Sequence, residues 1–425
     1  MTDTIFALSS GAPPAAIGVV RVSGPQARDA MLALAGRVPA PRRAALGRLR
    51  DRQGAVIDEA LVLWLPGPGT ETGEDTVELQ CHGGRAVIAA VETALAALPG
   101  LRRAKPGEFT RRAFINGKID LAEAEGLADL LEAETELQRL SAMAMAGGAF
   151  SREVEGWREE LLSLSAAVEA VLDFADEDDV ATLPADFALK VASLSSAIKT
   201  WLDRPRAELL KEGFRVVIAG PPNAGKSTLF NCLVEAEAAI ATPIAGTTRD
   251  VLTRPVAIAG VPFLFADTAG LHDTVDDVVE AIGIERALEA LDRADLVLWL
   301  GPEGTGPAGA WEVEAQTDRG GHISKLAPRH RISARTGDGI EELRADLVET
   351  ASAALPRPGE AALNERQHDL LADARAALVQ AAEQSDPLLM AESLRVARVA
   401  FDTLLGRTAT EDLLDTLFGR FCIGK

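Results

Sequence analysis

The sequence predicts an α/β + α chain: a parallel α/β unit inserted into a helical framework, preceded by an α+β domain. Three observations carry this. Residues 213–355 alternate short β-branched runs with helical stretches through glycine-rich connections, the pattern of a parallel sheet with crossover helices. Residues 121–210 and 361–421, on either side, are rich in Ala and Leu at helical spacing. Residues 1–118 mix short strands with turns.

Taken in order, Ile17-Gly18-Val19-Val20-Arg21-Val22 and Val77-Glu78-Leu79-Gln80-Cys81 read as strands, and residues 86–98 as an amphipathic helix. The long helical stretch has one acidic break at residues 176–179, and Pro356-Arg357-Pro358-Gly359 reads as a linker. The expected segments are therefore 1–118, 119–212, 213–355 and 356–425. The second and fourth would pack together as one helical domain around the third. No internal repeat is evident.

The bulk properties narrow the class. A length of 425 suggests about three domains, each able to bury a core. No stretch approaches the roughly 20 uncharged apolar residues that cross a bilayer, and no secretion signal is evident. Cys81, Cys232 and Cys422 are widely spaced, which argues against a disulfide framework and for a reducing cytoplasm. The formal charge of −21 repels nucleic acid at long range. If the substrate is RNA, a partner must supply much of the basic surface.

Gly220 to Ser227 reads GPPNAGKS and follows the apolar run Phe214-Arg215-Val216-Val217-Ile218-Ala219; Thr228-Leu229-Phe230-Asn231 then opens a helix. This is the full phosphate-loop pattern between strand and helix. Its glycines let backbone N–H groups turn inward around a phosphate, and the helix N-terminus adds positive dipole. Asn223, Ala224, Gly225, Lys226, Ser227 and Thr228 are the candidate phosphate contacts. Lys226 supplies charge to the outer phosphates and Ser227 a hydroxyl for magnesium. The competing reading, a glycine-rich turn before an ordinary helix, leaves the downstream motifs unexplained.

Those motifs come in the order a Ras-like GTPase requires. Gly246-Thr247-Thr248-Arg249-Asp250 lies about twenty residues on, with Thr248 placed for magnesium and the γ-phosphate. Asp267-Thr268-Ala269-Gly270 follows the strand Phe263-Leu264-Phe265-Ala266, so Asp267 would hold magnesium through water and the Gly270 N–H would sense the γ-phosphate. Ile332-Ser333-Ala334-Arg335 ends another strand and would buttress the base. A strict Asn-Lys-x-Asp is absent. The nearest match is Ala315-Gln316-Thr317-Asp318, after the strand-like Trp311-Glu312-Val313-Glu314. Asp318 can still accept both guanine N–H donors, but the Asn contact is lost and Gln316 replaces the Lys, at the expense of a weaker base contact. Leu271 stands where Ras-like enzymes place a water-orienting glutamine, so hydrolysis needs another device. Asn223 is either a ligand for a monovalent cation doing the work of an arginine finger or a loop-stiffening side chain.

At this point the residues match a family. The whole chain resembles the MnmE (TrmE) tRNA-modification GTPases. The blocks that carry the likeness are Asp3-Thr4-Ile5, Gly18-Val19-Val20-Arg21-Val22-Ser23-Gly24, Thr72-Gly73-Glu74-Asp75, Glu78-Leu79-Gln80-Cys81-His82-Gly83-Gly84, Lys105-Pro106-Gly107-Glu108-Phe109-Thr110-Arg111-Arg112-Ala113-Phe114, Asn116-Gly117-Lys118 and the terminal Cys422-Ile423-Gly424-Lys425. The resemblance implies an N-terminal domain that dimerises and binds 5-formyl- or methylene-tetrahydrofolate, and a helical domain carrying the inserted Ras-like P-loop GTPase. It also implies G domains that pair across a cytoplasmic homodimer with potassium. It further implies an FAD-containing partner (MnmG, or GidA), with which the family installs an aminomethyl-type group at carbon 5 of the wobble uridine of certain tRNAs.

By the same resemblance, Asn223, Thr242, Ile244 and Thr247 match potassium-coordinating positions, and Ser227 and Thr248 the magnesium ligands. Glu280, in Glu280-Ala281-Ile282-Gly283-Ile284-Glu285, matches the catalytic glutamate, although the segment from Gly270 to the Ile-Gly pair is one residue longer than usual; its bland reading is a solvated acid at a helix start. Arg21, Glu78, Lys118 and Lys425 match folate contacts: cations for the glutamate tail and a carboxylate for the pterin N–H groups. Cys422 sits where a prenylation box would, but Lys is not a usual last residue for one. A buried structural thiol is the bland alternative, opposed by the usual mobility of a C-terminus. The family makes Cys422 functional, as nucleophile or acid in uridine chemistry. Cys81 and Cys232 read as packing residues.

A GTPase switch assisting ribosome assembly is the competing function. It calls for a basic RNA-binding appendage, and the sequence carries no RNP aromatics, no KH module and no basic tail. A scaffold that merely binds nucleotide leaves Thr248, Asp267 and Cys422 unaccounted for together.

Overall fold

The computed structural model describes residues 3–173, 182–235, 253–267 and 291–425. The chain forms two compact units, the first made of Met1–Ala128, Ser151–Glu155 and Val399–Lys425, the second of Asp129–Phe150 and Gly156–Arg398.

The first unit is built on a six-stranded sheet of β1 (Thr4–Leu8), β2 (Ile17–Ser23), β3 (Ala44–Arg50), β4 (Val56–Leu65), β5 (Thr76–His82) and β6 (Leu101–Arg103), in the order β3-β4-β5-β2-β1-β6. All its pairings are antiparallel except β1 with β6. Period-two alternation sets its faces. Val20, Val22, Val62, Val77 and Leu79 point into a core closed by α1 (Ala27–Ala35) and α2 (Arg85–Ala96). On β1 and β6's side, Ile5, Ala7 and Ala104 pack with Phe109, which belongs to α3 (Glu108–Ile115). Further on, α4 (Leu121–Glu132) shares a cluster of Leu121, Ala124, Leu414, Leu417, Phe418 and Phe421 with the C-terminal segment.

In the second unit come α5 (Glu136–Ala146), α6 (Ala149–Asp173, which begins near the boundary of the units), α7 (Phe187–Leu202) and α8 (Ala207–Glu212). Thr135 and Gln138 close a reciprocal capping box at the start of α5. Phe150 and Trp157 both meet Trp201 of α7, and the Arg204 guanidinium lies 3.8 Å over the Trp201 ring. The α/β part follows with β7 (Phe214–Ala219), α9 (Lys226–Glu235), β8 (Thr253–Ile258), β9 (Val261–Asp267), β10 (Leu296–Trp299), β11 (Trp311–Glu314), β12 (His330–Arg331) and α10 (Ile340–Ala354). Strand order is β12-β11-β10-β7-β9-β8, parallel except for the β8–β9 edge. The central strands are apolar because both faces are covered: Val216, Ile218, Phe263, Phe265, Leu298 and Val313 are all buried.

After the α/β part come α11 (Glu365–Glu383), α12 (Pro387–Leu404) and α13 (Glu411–Gly419). Helices from before and after it pack on one another, α7 with α11 in the second unit. Among the described residues no helix is long and apolar enough to cross a membrane.

Candidate functional site

The phosphate loop leaves the C-terminal edge of β7 and runs into α9, which starts at Lys226. A parallel strand buried on both faces points the loop at the edge of the sheet, where ligands of such folds bind. Asn223 has φ +61° and Gly225 φ +94°, left-handed values that curl the backbone around a concavity. Ala224 and Lys226 are buried, while Asn223, Ser227 and Thr228 are exposed. The Lys226 ammonium donates to the carbonyls of Gly220 at 2.9 Å and Pro221 at 3.0 Å. Burial lowers its affinity for the proton, and the Asp267 carboxylate at the end of β9 pulls the other way. A buried ammonium resting on neutral carbonyls is suited to receive phosphate oxygens. The Ser227 hydroxyl, one residue on, is a hard oxygen donor of the kind magnesium takes.

The second half of the site comes from the connections after β11 and β12. Asp318 accepts from the Ser333 hydroxyl at one carboxylate oxygen and from Arg335 Nε at the other, both at 2.7 Å. The Ser333 bond, assisted by the Arg335 charge, holds the Asp318 carboxyl below its ordinary range, so it presents fixed negative charge. Gln316, also left-handed at φ +57°, turns its side chain back onto the phosphate loop, and its Nε2 donates to the Asn223 carbonyl at 3.1 Å. A Cβ on Gly225 would stand 3.0 Å from Gln316 Nε2, so the amide lies across that glycine. Gln316 thus ties the 315–318 segment to the phosphate loop. Between them lies a cavity of about 430 Å³ lined by Gly225, Thr228, Gln316, Asp318, Ala334 and Arg335 among others, within the range of small-molecule sites.

The phosphate loop, Asp267, Asp318, Ser333, Ala334 and Arg335 are therefore gathered on one edge of one sheet. Thr242, Ile244, Gly246, Thr247, Thr248, Thr268, Ala269, Gly270, Leu271 and Glu280 lie outside the described residues, as does the acidic break at 176–179. Of the four positions matched to potassium ligands, only Asn223 is described.

In the first unit, Arg21 and Glu78 sit directly opposite one another on β2 and β5. Cross-strand register puts both side chains on the face opposite the core. Arg21 Nη2 donates to Glu78 at 2.9 Å, and Arg21 also pairs with Glu71. Its guanidinium stands 6.0 Å from the Phe109 ring centroid, and the Phe109 N–H donates to the Lys425 carbonyl at 3.2 Å. Arg21 and Glu78 are thus mutual partners on adjacent strands. Lys118 donates to the Pro68 carbonyl at 3.0 Å. Beneath this surface Arg112, with no exposed side-chain area, donates to Asp3, Glu74 and Glu108 at 3.0–3.3 Å. Glu74 in turn accepts from Ser23, and Ser23 bonds Thr72, so Arg112 fixes the loop that carries Glu71. Sequence reading passed over Glu71, Phe109 and the hub role of Arg112; the clustering of Glu74, Glu108 and Arg112 in the quoted blocks was the available signal.

The C-terminal tail is docked, not loose. Pro106 bridges to Ile423, and a Cβ on Gly424 (φ +99°) would stand 2.1 Å from the Leu8 carbonyl oxygen, so only glycine lets the tail approach β1 this closely. Cys422 is exposed, which removes the buried structural reading. Cys81 is buried, and burial pushes its thiol up to about 12, as an inert packing residue requires; Cys232 is half-buried on α9 and packs against the core of the second unit.

A phosphate loop between strand and helix, and across a cavity from it a carboxylate backed by a Ser-Ala-Arg turn, are the features of a P-loop GTPase. The family model described as the GTP-binding protein TrmE N-terminus matches residues 4–118, and that of the MnmE helical domain residues 121–422. The tRNA modification GTPase MnmE of Erythrobacter litoralis is 63% identical over 423 residues, covering 100% of each chain. That of Novosphingobium aromaticivorans is 62% identical over 437 residues, again covering 100% of each, and that of Zymomonas mobilis 48% over 440 residues, covering 99% of this chain and 100% of its own. The chain belongs to the MnmE family of tRNA modification GTPases.

Proposed function

We propose that the protein hydrolyses GTP to drive modification of carbon 5 of the wobble uridine of certain tRNAs, with an FAD-containing partner of the MnmG type and a tetrahydrofolate one-carbon donor. The observation that carries the reading is the full-length likeness to MnmE relatives, joined to a cavity that runs from the phosphate loop to Asp318. In this reading residues 1–118 bind folate and dimerise, 119–212 and 356–425 form the helical body, and 213–355 are the GTPase.

Lys226 and the backbone from Asn223 to Thr228 hold the phosphates. Ser227 and Thr248 hold magnesium, which supplies charge neutralisation at the outer phosphates. Asn223, Thr242, Ile244 and Thr247 hold potassium, which supplies the positive charge of an arginine finger. Glu280 orients the attacking water in place of a glutamine. Asp318 accepts the guanine N–H donors. Arg21, Glu78, Lys118 and Lys425 hold the folate, whose one-carbon unit supplies the added group. The half-buried Arg21–Glu78 pair over an aromatic ring suits a flat ligand with both donors and a carboxylate. Cys422, exposed on a docked tail, serves the uridine chemistry. The charge of −21 supports a complex in which the partner carries most of the tRNA contact.

Hydrolysis rates in potassium and sodium at equal ionic strength test the cation reading: faster turnover in potassium is expected, and equal rates sink it. Mass spectrometry of wobble nucleosides from cells lacking the protein tests the rest. Loss of the modified uridine is expected, and unchanged uridines remove the tRNA assignment.

A further inference from the structure

His322 lies in the connection between β11 and β12, four residues after Asp318. Its ring is held on both sides. Nδ1 is 2.8 Å from the Arg319 carbonyl oxygen, and Nε2 is 2.8 Å from Glu314 Oε1. A carbonyl and a carboxylate only accept. A neutral imidazole carries one N–H and can satisfy one of them; only the imidazolium satisfies both.

The two bonds join specific places. Glu314 ends β11 and is buried. The Arg319 N–H donates to the Gln316 carbonyl at 2.9 Å, closing the turn whose side chains are Gln316 and Asp318. His322 therefore ties the far end of that turn to the sheet. The charged groups facing it are Glu314 from β11, Arg331 from β12 and, from its own connection, Asp318, Arg319 and Lys325. Arg331 Nε donates to Glu314 at 3.1 Å and the Lys325 N–H at 3.4 Å, so Glu314 keeps partners in either state of the ring. The Lys325 ammonium is turned to Glu312 and the Trp299 carbonyl.

We propose that His322, as an imidazolium, is a positioning residue for guanine recognition: it clamps the 316–319 turn to β11 and thereby holds Asp318 and Gln316 in the cavity wall. Loss of one proton leaves either the Arg319 carbonyl or Glu314 facing a lone pair, and the turn loosens. The Glu314 bond, then the Arg319 carbonyl, raise the ring's affinity for its proton above the ordinary 6.5. The clamp is thus complete below about that pH and is lost as pH rises through the raised value. The inference rests on Asp318 reading guanine.

The experiment compares GTP affinity of the full-length wild type and His322→Gln from pH 6 to 8.5. The nucleotide phosphates titrate in this range too, so the ratio of the two dissociation constants carries the test. The variant should bind roughly three- to tenfold more weakly at pH 6, the worth of about one hydrogen bond, and the ratio should fall toward one at pH 8.5. A ratio that does not change with pH overturns the clamp. In the wild type alone, reciprocity requires GDP to raise the pH at which the His322 ring signal titrates by NMR; an unmoved titration also overturns it. If wild type binds ATP as well as GTP at every pH, the Asp318 reading is what has failed.

Discussion

The two units treat a buried cation in opposite ways. In the first, Arg112 is enclosed by carboxylates of the protein itself, Asp3, Glu74 and Glu108. In the second, Lys226 rests on the neutral carbonyls of Gly220 and Pro221. A cation neutralised by its own fold is scaffold. One left on carbonyls, in a curled backbone at a sheet edge, is a binding site waiting for an anion. Arg21 falls between, paired with Glu78 inside and with the exposed Glu71 outside.

The largest expected effect separates these roles. Arg112→Ala strands three carboxylates and should destabilise the first unit by about 3–5 kcal/mol, read by urea unfolding; a loss below about 1 kcal/mol breaks the comparison. Lys226→Ala should do the reverse, weakening GTP binding by about 100-fold or more with the melting temperature of the nucleotide-free protein unchanged or raised, because a desolvated charge is removed. Next, Asp318→Asn should exchange preference from GTP toward xanthosine triphosphate by roughly tenfold or more, since loss of two charge-assisted bonds is worth at least that; retained GTP preference in competition binding excludes Asp318 as the base reader.

The smallest effect is acid sensitivity of the first unit. Burial works to raise Glu108 and Asp3, but hydrogen bonds and charge from Arg102 and Arg112 win and hold both below their ordinary 4.5 and 3.8. Groups lowered on folding contribute stability above those values and lose it as pH falls through the lowered ones. Unfolding free energy should therefore drop below about pH 4.5, and Glu108→Gln should flatten the drop. An unchanged slope means that other carboxylates govern acid unfolding.

The nucleotide unit was legible where its chemistry is local. Phe214 to Thr228 contains strand, loop and helix start in one run, so its backbone could be read without knowing anything distant. The place of Asp318 beside Ser333 and Arg335 was legible by spacing, although its neighbours depart from the usual motif. What Gln316 does in place of the Lys was not: its amide reaches a carbonyl 93 positions away. His322 reads in sequence as one of five histidines, and only its two acceptors distinguish it. In the first unit the motif blocks marked Arg21 and Glu78, yet their mutual pairing depends on β2–β5 register, which a period-two pattern does not fix by itself.

By itself the sequence determined the elements, the phosphate loop and the family blocks, because backbone propensity, glycine placement and alternation act over a few residues. Tertiary structure decided which charges meet. It buried Arg112 among three carboxylates, left Lys226 for a ligand, turned Gln316 onto the phosphate loop, put Arg21 on Glu78 and docked the tail so that Cys422 is exposed. Each of these depends on desolvation and on partners brought together by sheet order, quantities that no local stretch of sequence contains.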